Sequence, residues 1–286
     1  MERQPKYRFY ATLLDAWMNY DRSGVIWEKY WGWSQRPPHT PEEFRQLQYQ
    51  ALIDRINRAP FDSEAADKGT AFNEVVDCMV QHRKPSEKFS ISRIVEPDMT
   101  QVVMGQVDGC DADERWAEVD YQPNPRAGQV TGIRAVYNNR TFDFDIKLCR
   151  EFAAYFNGAL TQQLVSALLP TAYGDVEVYG FIDELMPLSV HDIKTTGSYS
   201  AGKFKHNSQH LVYPYCLYRD GSSIRLFEYN VAEIDRYGRW KTFTETYVFE
   251  PERDIPLLRK RCEELILFIE ENRHLITDKK IFNLTA

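Results

Sequence analysis

The chain has 286 residues and a formal net charge of −7, and 43% of its residues are hydrophobic, 27% charged and 14% aromatic. This composition is typical of a globular protein and excludes an intrinsically disordered chain. No stretch approaches the roughly 20 consecutive apolar residues of a membrane helix, and no signal-peptide pattern follows the N-terminus. We therefore expect a cytoplasmic protein without a membrane partner.

The first half of the chain predicts helices followed by strands. Thr40 and Pro41 are typical of a helix N-cap and first position, and they predict a helix that runs to about Arg58. A second helix is predicted over residues 67–83, because its apolar residues fall on one face. The stretch 89–146 then predicts several strands and turns.

Within that stretch, Asn138 and Asn139 suit a turn between two strands. Apolar residues at helical spacing then predict one long helix over 147–169, which Pro170 would end. The rest of the chain predicts two adjoining strands, a helix, two more strands and a final helix. These elements are predicted at 175–184, 188–194, 208–218, 223–231, 242–249 and 252–273.

The order of these elements indicates the fold class. Strands in the middle of the chain, with helices before, between and after them, indicate an α/β fold with a central mixed β-sheet flanked by helices. We expect a single domain over residues 1–286. Its parts are a helical extension (1–60), a core (61–250) and a C-terminal helix (251–286).

Cysteine usage bears on the kind of metal site. The five cysteines are Cys78, Cys110, Cys149, Cys216 and Cys262. They lie far apart and form no Cys-x-x-Cys pair, whereas zinc and iron–sulfur sites need clustered thiolates. We expect reduced thiols and neither of these two sites.

Two acidic residues and a lysine fall on the adjoining strands predicted in the segment 179–196. A turn at the Met-Pro pair would place Asp183 opposite Val190, with Asp192 as its diagonal neighbour on the same face. Lys194 shares that face, and His191, which alternates with it, should point away. A slip of one residue in the pairing would separate the carboxylates.

This arrangement suits phosphodiester hydrolysis. Neighbouring carboxylates repel each other unless a cation neutralises them, and Mg²⁺ prefers oxygen ligands. A nearby lysine can stabilise developing negative charge, and metal ions activate water in such reactions. A surface Asp–Lys pair is the alternative, but the apolar flanking residues indicate core strands, where unpaired charge is costly.

The segments Gly180–Asp183 and Asp192–Thr195 resemble the second and third motifs of PD-(D/E)XK nucleases, in the RecB-like branch. The segment Gln209–Tyr213 resembles the downstream Gln-x-x-x-Tyr motif of that branch. Upstream, Gly69–Asp77 resembles the first motif, a glycine-led helix that carries His and Glu. The resemblance covers scattered motifs within residues 69–218.

The first motif departs from the pattern at Asn73, where the branch often has a metal-binding histidine. Glu74 is the acid that the resemblance favours, and Asp77 or Glu151 is the alternative. The cysteine grouping of the members with an iron–sulfur cluster is absent from this sequence.

The resemblance implies a three-layer α/β/α arrangement with a restriction-endonuclease-like core, and Mg²⁺ or Mn²⁺ as the cofactor. The implied catalytic residues are Asp183, Asp192, Lys194 and Glu74, and the implied metal ligands are Asp183, Asp192, the Ile193 carbonyl and Glu74. Lys194 would position or polarise the attacking water. The implied substrate-binding residues are Gln209, Tyr213, Thr195, Lys203 and Lys205, of which Gln209 and Tyr213 would contact the DNA backbone or brace Lys194.

The activity that the resemblance implies is metal-dependent hydrolysis of DNA, by an exonuclease of recombination, repair or phage type. A catalytically inactive relative that binds nucleic acid or a partner is the alternative, motivated by Asn73. An unrelated metabolic or interaction protein is a third interpretation, which the net negative charge favours. Residues 194–241 nevertheless hold eight Lys and Arg against four Asp and Glu, a local basic segment suited to a polyanion. A homo-oligomer and a recombination partner protein both stay open.

Overall fold

The structure is a computed structural model that describes residues 5–108 and 115–282, and side chains outside 103–119. The chain splits into two compact units. The larger unit is Met1–Ser63, Gly158–Asp235 and Lys241–Ala286, and the smaller is Glu64–Asn157 and Arg236–Trp240. A single domain over residues 1–286 stays a prediction.

The helices and strands follow one another along the chain as follows. The strands are β1 (Tyr7–Tyr10), β2 (Ser90–Val95), β3 (Met99–Asp108), β4 (Arg115–Pro123), β5 (Val130–Tyr137), β6 (Arg140–Asp145), β7 (Leu160–Leu169), β8 (Val176–Leu185), β9 (Ser189–Thr196), β10 (Leu226–Ile234) and β11 (Trp240–Val248). The α-helices are α1 (Ala11–Asp21), α2 (Ser23–Trp31), α3 (Pro41–Ile56), α4 (Glu64–Val80), α5 (Ile146–Tyr155), α6 (Gln209–Arg219) and α7 (Pro251–Glu271). Short 3-10 helices cover Arg273–Leu275 and Lys279–Phe282.

The larger unit is built on a mixed six-stranded sheet. Its path is β1-β8-β9-β10-β11, and β7 also pairs with β8. The β1–β8 and β9–β10 pairs are parallel, whereas β7 and β9 run antiparallel to β8. The predicted α/β class with a mixed central sheet is therefore confirmed.

The core of this unit joins the sheet to helices α1, α6 and α7. Val176, Val178 and Ile182 of β8 are fully buried, as alternation along a strand requires. They share one hydrophobic cluster with Leu265 and Ile269 of α7. The periodic apolar face predicted for the last helix thus packs into the core.

Helix α3 begins where the sequence predicts. The Thr40 hydroxyl accepts a hydrogen bond from the Glu43 amide at 3.2 Å, and the Glu43 carboxylate accepts one from the Thr40 amide at 2.8 Å. This capping box, with Pro41 at the first helical position, satisfies N–H groups that a helix end leaves without intrahelical partners.

The smaller unit contains helices α4 and α5 and two antiparallel sheets, β2-β5-β6 and β3-β4. Asn138 and Asn139 form the predicted turn between β5 and β6, both in the left-handed region with φ of 48° and 60°. Two-residue hairpin turns favour this conformation, and asparagine tolerates it better than most residues. Cys110 lies outside the described residues.

The long helix predicted over 147–169 is wrong. Helix α5 ends at Tyr155, Gly158 follows with a φ of 84°, and β7 then pairs antiparallel with β8. Leu160 and Leu164 are 58% and 62% exposed. Apolar residues spaced by four fit both a helical period and a strand period of two, so the spacing alone does not separate the two structures.

Among residues 5–108 and 115–282, no helix combines the length and the apolar character that crossing a membrane requires.

Candidate active site

The turn between β8 and β9 sets the position of the two predicted carboxylates. Val190 pairs with Leu185, so the predicted pairing of Val190 with Asp183 is wrong by two residues. Extending the observed register by one pair sets Asp183 across from Asp192, and the Ile193 amide donates to Asp183 Oδ2 at 2.8 Å. A two-residue shift keeps each side chain on its face, so both carboxylates still lie on the predicted face.

Lys194, Asp192 and Gln209 form a closed ring of polar contacts. Lys194 Nζ lies 2.5 Å from Asp192 Oδ2 and donates to Gln209 Oε1 at 2.8 Å. Gln209 Nε2 in turn donates to Asp192 Oδ1. Asp192 and Gln209 are 2% and 4% exposed, so the ring fixes the ammonium group beside a buried carboxylate. Gln209 therefore contacts Lys194 directly, and bracing of this lysine is one of the two roles that the resemblance implies for Gln209.

Tyr213 lies one helical turn after Gln209 and contacts this ring of polar groups through Gln209. Gln209 Nε2 donates to the Tyr213 hydroxyl at 3.3 Å, and the Tyr213 ring is buried against Gly180 of β8. The ammonium of Lys194 also lies 5.6 Å from the centre of the Tyr229 ring, within the range of a cation–π contact.

Burial and neighbouring charges shift the pKa values of Asp192 and Lys194 in opposite directions. Burial raises the pKa of Asp192, against the lowering effect of Lys194. Burial also disfavours the ammonium of Lys194, but the carboxylates of Asp192 and Asp183 outweigh it and raise the pKa of Lys194. Lys194 is thus held as a cation at neutral pH.

Asp15 of α1 is a further acid beside this site, and it was missed by the sequence analysis. One of its carboxylate oxygens, Oδ1, accepts a hydrogen bond from the Ser208 amide at the start of α6. Burial raises the pKa of Asp15 to about 6, while the charge of Lys194 acts to lower it. Arg261 of α7 donates to Ser208 Oγ at 2.8 Å and to the Asn207 carbonyl at 3.1 Å. Asp15 and Arg261 therefore fix the position of the N-terminal end of α6, which carries Gln209.

A cavity of about 340 Å³ opens beside the ring. Asp183, Gln209 and Tyr213 line it, together with Thr12 and Arg58. A ligand in this cavity would meet a carboxylate, an amide and a guanidinium group.

The donor set at this site fits a hard divalent cation. Asp183 and Asp192 present carboxylates from neighbouring strands, and Mg²⁺ is commonly held by one or two carboxylates together with water and substrate oxygens. The described part of the chain contains no group of three or more His, Cys, Asp or Glu arranged to hold a metal. Coordination by the Ile193 carbonyl stays a prediction.

Glu74 belongs to the smaller unit, where it is bound to Arg83. The two guanidinium nitrogens of Arg83 donate to the two carboxylate oxygens at 2.8 and 2.9 Å, and the Ser86 amide donates at 2.6 Å. Burial opposes ionisation, but these bonds hold the pKa of Glu74 below its usual value. Asp77 is buried, with Arg83 at 3.6 Å, and Glu151 is exposed on α5. A metal-binding role for any of these three acids stays a prediction.

The residues predicted to contact phosphates lie after β9. Lys203 Nζ donates to Thr196 Oγ1 at 2.5 Å and to the Ser198 carbonyl at 2.7 Å. Lys205 is exposed and Thr195 is half-buried. Lys203 therefore braces the loop between β9 and α6, and substrate contacts by all three predicted residues stay predictions.

His191 points away from the carboxylates, as predicted. Its Nε2 lies 2.7 Å from Ser189 Oγ, and its Nδ1 lies 3.0 Å from Asn230 Oδ1. Burial lowers the pKa of His191, which suits a structural residue of the core.

We expect Gly180→Ala to destabilise the site. A Cβ atom at Gly180 would lie 2.6 Å from Tyr213 Cε1, and overpacking of this kind costs about 1–3 kcal/mol. A shift of the ring would also move the Tyr213 hydroxyl away from Gln209. Urea unfolding measures the loss. Gly197→Ala is the matched control, because no atom outside Gly197 and its two chain neighbours lies within 4 Å of the added Cβ. Equal stability of the two variants would contradict the expected clash.

Because His210 of α6 is buried, we expect the protein to lose stability in acid. Burial lowers the pKa of His210 to about 3, whereas the unfolded value is about 6.5. Below pH 6.5 the unfolded chain binds a proton that the folded chain does not, so stability falls as the pH falls. Between pH 7 and 5 we expect the wild type to lose about 2 kcal/mol more than His210→Phe.

Urea unfolding at the two pH values measures this difference. Phenylalanine preserves the stacking of His210 on Tyr247, whose ring centres lie 4.3 Å apart, so packing is matched while the titrating group is removed. The same acid loss in both proteins would show that His210 becomes protonated in the folded state.

No protein-family model and no curated protein matches the chain significantly. A crystal structure of the protein SSO0001 resembles it with a TM-score of 0.30 and 14% sequence identity. That match covers 43% of this chain and 56% of SSO0001, so the chain spans little more than half of the length of that protein. A likeness at this level carries no argument about fold or function.

Proposed function

We propose that the chain is a metal-dependent nuclease of PD-(D/E)XK type that hydrolyses phosphodiester bonds in DNA as an exonuclease. The observation that carries the proposal is the ring of Lys194, Asp192 and Gln209, with Asp183 on the neighbouring strand. The sequence resemblance assigns catalytic roles to Asp183, Asp192 and Lys194, and the contacts of Gln209 support them. The finer fold that goes with the proposal is a three-layer α/β/α, restriction-endonuclease-like core.

Asp183 and Asp192 would hold Mg²⁺ or Mn²⁺, and the Ile193 carbonyl and Glu74 are further predicted ligands. When bound, such an ion activates water and balances negative charge on the leaving oxygen. The ion would relieve the unfavourable burial of the Asp192 carboxylate, whose pKa burial already raises.

Lys194 contributes a fixed positive charge. Its ammonium is held between Asp192 and Gln209, so little side-chain freedom remains to be lost when the substrate binds. A preorganised donor of this kind stabilises the negative charge that develops on a phosphate in the transition state, and it can orient the attacking water. Gln209 positions this group, and Tyr213 positions Gln209.

The proposal is tested by incubating end-labelled linear DNA and closed circular DNA with Mg²⁺ or Mn²⁺. We expect the wild type to degrade linear DNA only in the presence of metal. Lys194→Ala should lower the rate at least about 100-fold, as removal of one preorganised donor does in other sites. Lys260→Ala is the control, since Lys260 is an exposed lysine of α7 whose side chain is 72% accessible.

Each alternative outcome has a definite meaning. Cleavage of circular DNA as well would make the protein an endonuclease. Binding of DNA without metal-dependent cleavage would favour a catalytically inactive relative, an alternative that the presence of Asn73 at the usual histidine position motivates. Cleavage that is unaffected by Lys194→Ala would remove the proposed active site.

A further inference from the structure

Arg58 lines the same 340 Å³ cavity as Asp183 and Gln209. It follows α3 and has a left-handed backbone with a φ of 52°. The cavity therefore places a permanent cation in the space that a predicted catalytic carboxylate also borders. Lys194, another cation of this region, is already held by Asp192 and Gln209.

The contacts of Arg58 hold its guanidinium without using all of its donors. Nε lies 2.8 Å from Asp278 Oδ2, Nη2 donates to the Tyr179 hydroxyl at 2.8 Å, and the group lies 5.5 Å from the centre of the Tyr10 ring. A guanidinium has five N–H donors in a planar fork, more than this ion pair and this single hydrogen bond use. Its side chain is 38% exposed, so a ligand can reach it.

This environment favours a phosphate group as the ligand. A guanidinium matches the geometry of a phosphate and binds two of its oxygens at once. Contacts to Tyr179 and Tyr10 orient the fork before a ligand arrives, which reduces the entropy lost on binding. Thr12 also lines the cavity, and a threonine hydroxyl can donate a hydrogen bond to an anion.

We infer that Arg58 binds a phosphate group of the nucleic-acid substrate in the cavity that Asp183 borders. The inference rests on the proposed function for the identity of the substrate. Arg58 would thereby hold the strand so that a neighbouring phosphodiester lies at the carboxylates. The competing interpretation is that Arg58 has a purely structural role, in which it links Asp278 to Tyr179.

The test measures affinity without cleavage. Binding of a labelled duplex with a single-stranded tail is followed by fluorescence anisotropy in EDTA, over a series of salt concentrations. We expect Arg58→Gln to weaken binding at least about tenfold, the loss typical of a hydrogen bond to a charged group. The slope of log affinity against log salt should fall by roughly 0.7–0.9, which corresponds to one phosphate contact.

Two further variants make the test selective. Arg55→Gln removes the same charge three residues earlier. Arg55 lines a neighbouring cavity of about 570 Å³, which Arg58 also borders, but it does not line the cavity that Asp183 borders. It should therefore change affinity much less than Arg58→Gln. Asp278→Asn removes the carboxylate that competes for the guanidinium, and we expect it to tighten binding by up to about fivefold. A purely structural role of Arg58 predicts that Asp278→Asn does not increase the affinity for the duplex.

The inference is overturned if Arg58→Gln binds with the affinity and salt slope of Arg55→Gln, or if the wild type does not bind the duplex. Its failure is distinct from that of the proposed function. Lys194-dependent cleavage together with an unchanged Arg58→Gln affinity removes only the inference. Loss of affinity in Arg58→Gln, in a protein that cleaves nothing, removes only the nuclease.

Discussion

Replacing Asp192 by Asn and Lys194 by Met together is expected to leave the free energy of unfolding close to that of the wild type, while abolishing cleavage. Each single replacement should instead destabilise the protein. Lys194→Met leaves Asp192, which is 2% exposed, as an uncompensated buried charge, and this situation costs about 3–5 kcal/mol. Asp192→Asn leaves Lys194, whose side chain is 23% exposed, and should cost less.

A double-mutant cycle by urea unfolding measures the coupling between the two residues. The matched control is the pair Lys260–Glu264 on α7, whose charged atoms lie 3.7 Å apart with side chains 72% and 38% exposed. An exposed pair of this kind contributes about 0–1 kcal/mol. A coupling between Asp192 and Lys194 no larger than that of the control pair would contradict burial as the source of the effect.

The cycle also separates folding from chemistry. Lys194→Met alone could lose activity because the chain unfolds, whereas the double variant should fold as the wild type does. Its loss of cleavage would then report the chemistry of the two groups alone. Because residues that act as a unit have non-additive effects on rate, the double variant should be no slower than the slower single variant.

The central part of the site was predictable because it is local. Asp183 and Asp192 lie nine residues apart on two strands joined by a short turn, so any antiparallel register of the correct parity places them on the same face of the sheet. Gln209 and Tyr213 lie one turn apart on helix α6. The loop sequence before this helix indicates where the helix starts. The exact register was not predictable, because the Met-Pro turn does not fix it.

Long-range pairing explains what the sequence did not predict. β1 lies at the start of the chain and pairs with β8, and no local pattern in a four-residue strand indicates a partner more than 160 residues away. Asp15 belongs to the helix that follows β1, and its contact to Ser208 spans 193 residues. One sequence signal could have indicated Asp15: it is an acid that directly follows apolar residues, such as Leu14, which is buried. An unpaired charge in such surroundings is costly.

Asp15→Ala is expected to lower the cleavage rate about 10–100-fold, whereas Asp15→Asn should retain most of it. Alanine removes the acceptor for the Ser208 amide, and leaving the amide of this fully buried residue without a partner costs about 1–3 kcal/mol. The start of α6 is then free to shift, and a displacement near 1 Å of a positioning group such as Gln209 can cost about 100-fold in rate. Asparagine keeps an oxygen at the same position, so it preserves the hydrogen bond without the charge.

The comparison of these two variants distinguishes positioning from a general loss of fold. We expect Asp15→Ala to reduce kcat with little change in KM, because Gln209 contacts Lys194 and Asp192 within the proposed active site. Asp21→Ala, an exposed acid at the end of the same helix, is the control and should leave both parameters unchanged. If Asp15→Asn were as slow as Asp15→Ala, the charge of Asp15 and not its hydrogen bond would be the required feature, and Asp15 would belong with Asp183 and Asp192 among the acids that act on the reaction directly.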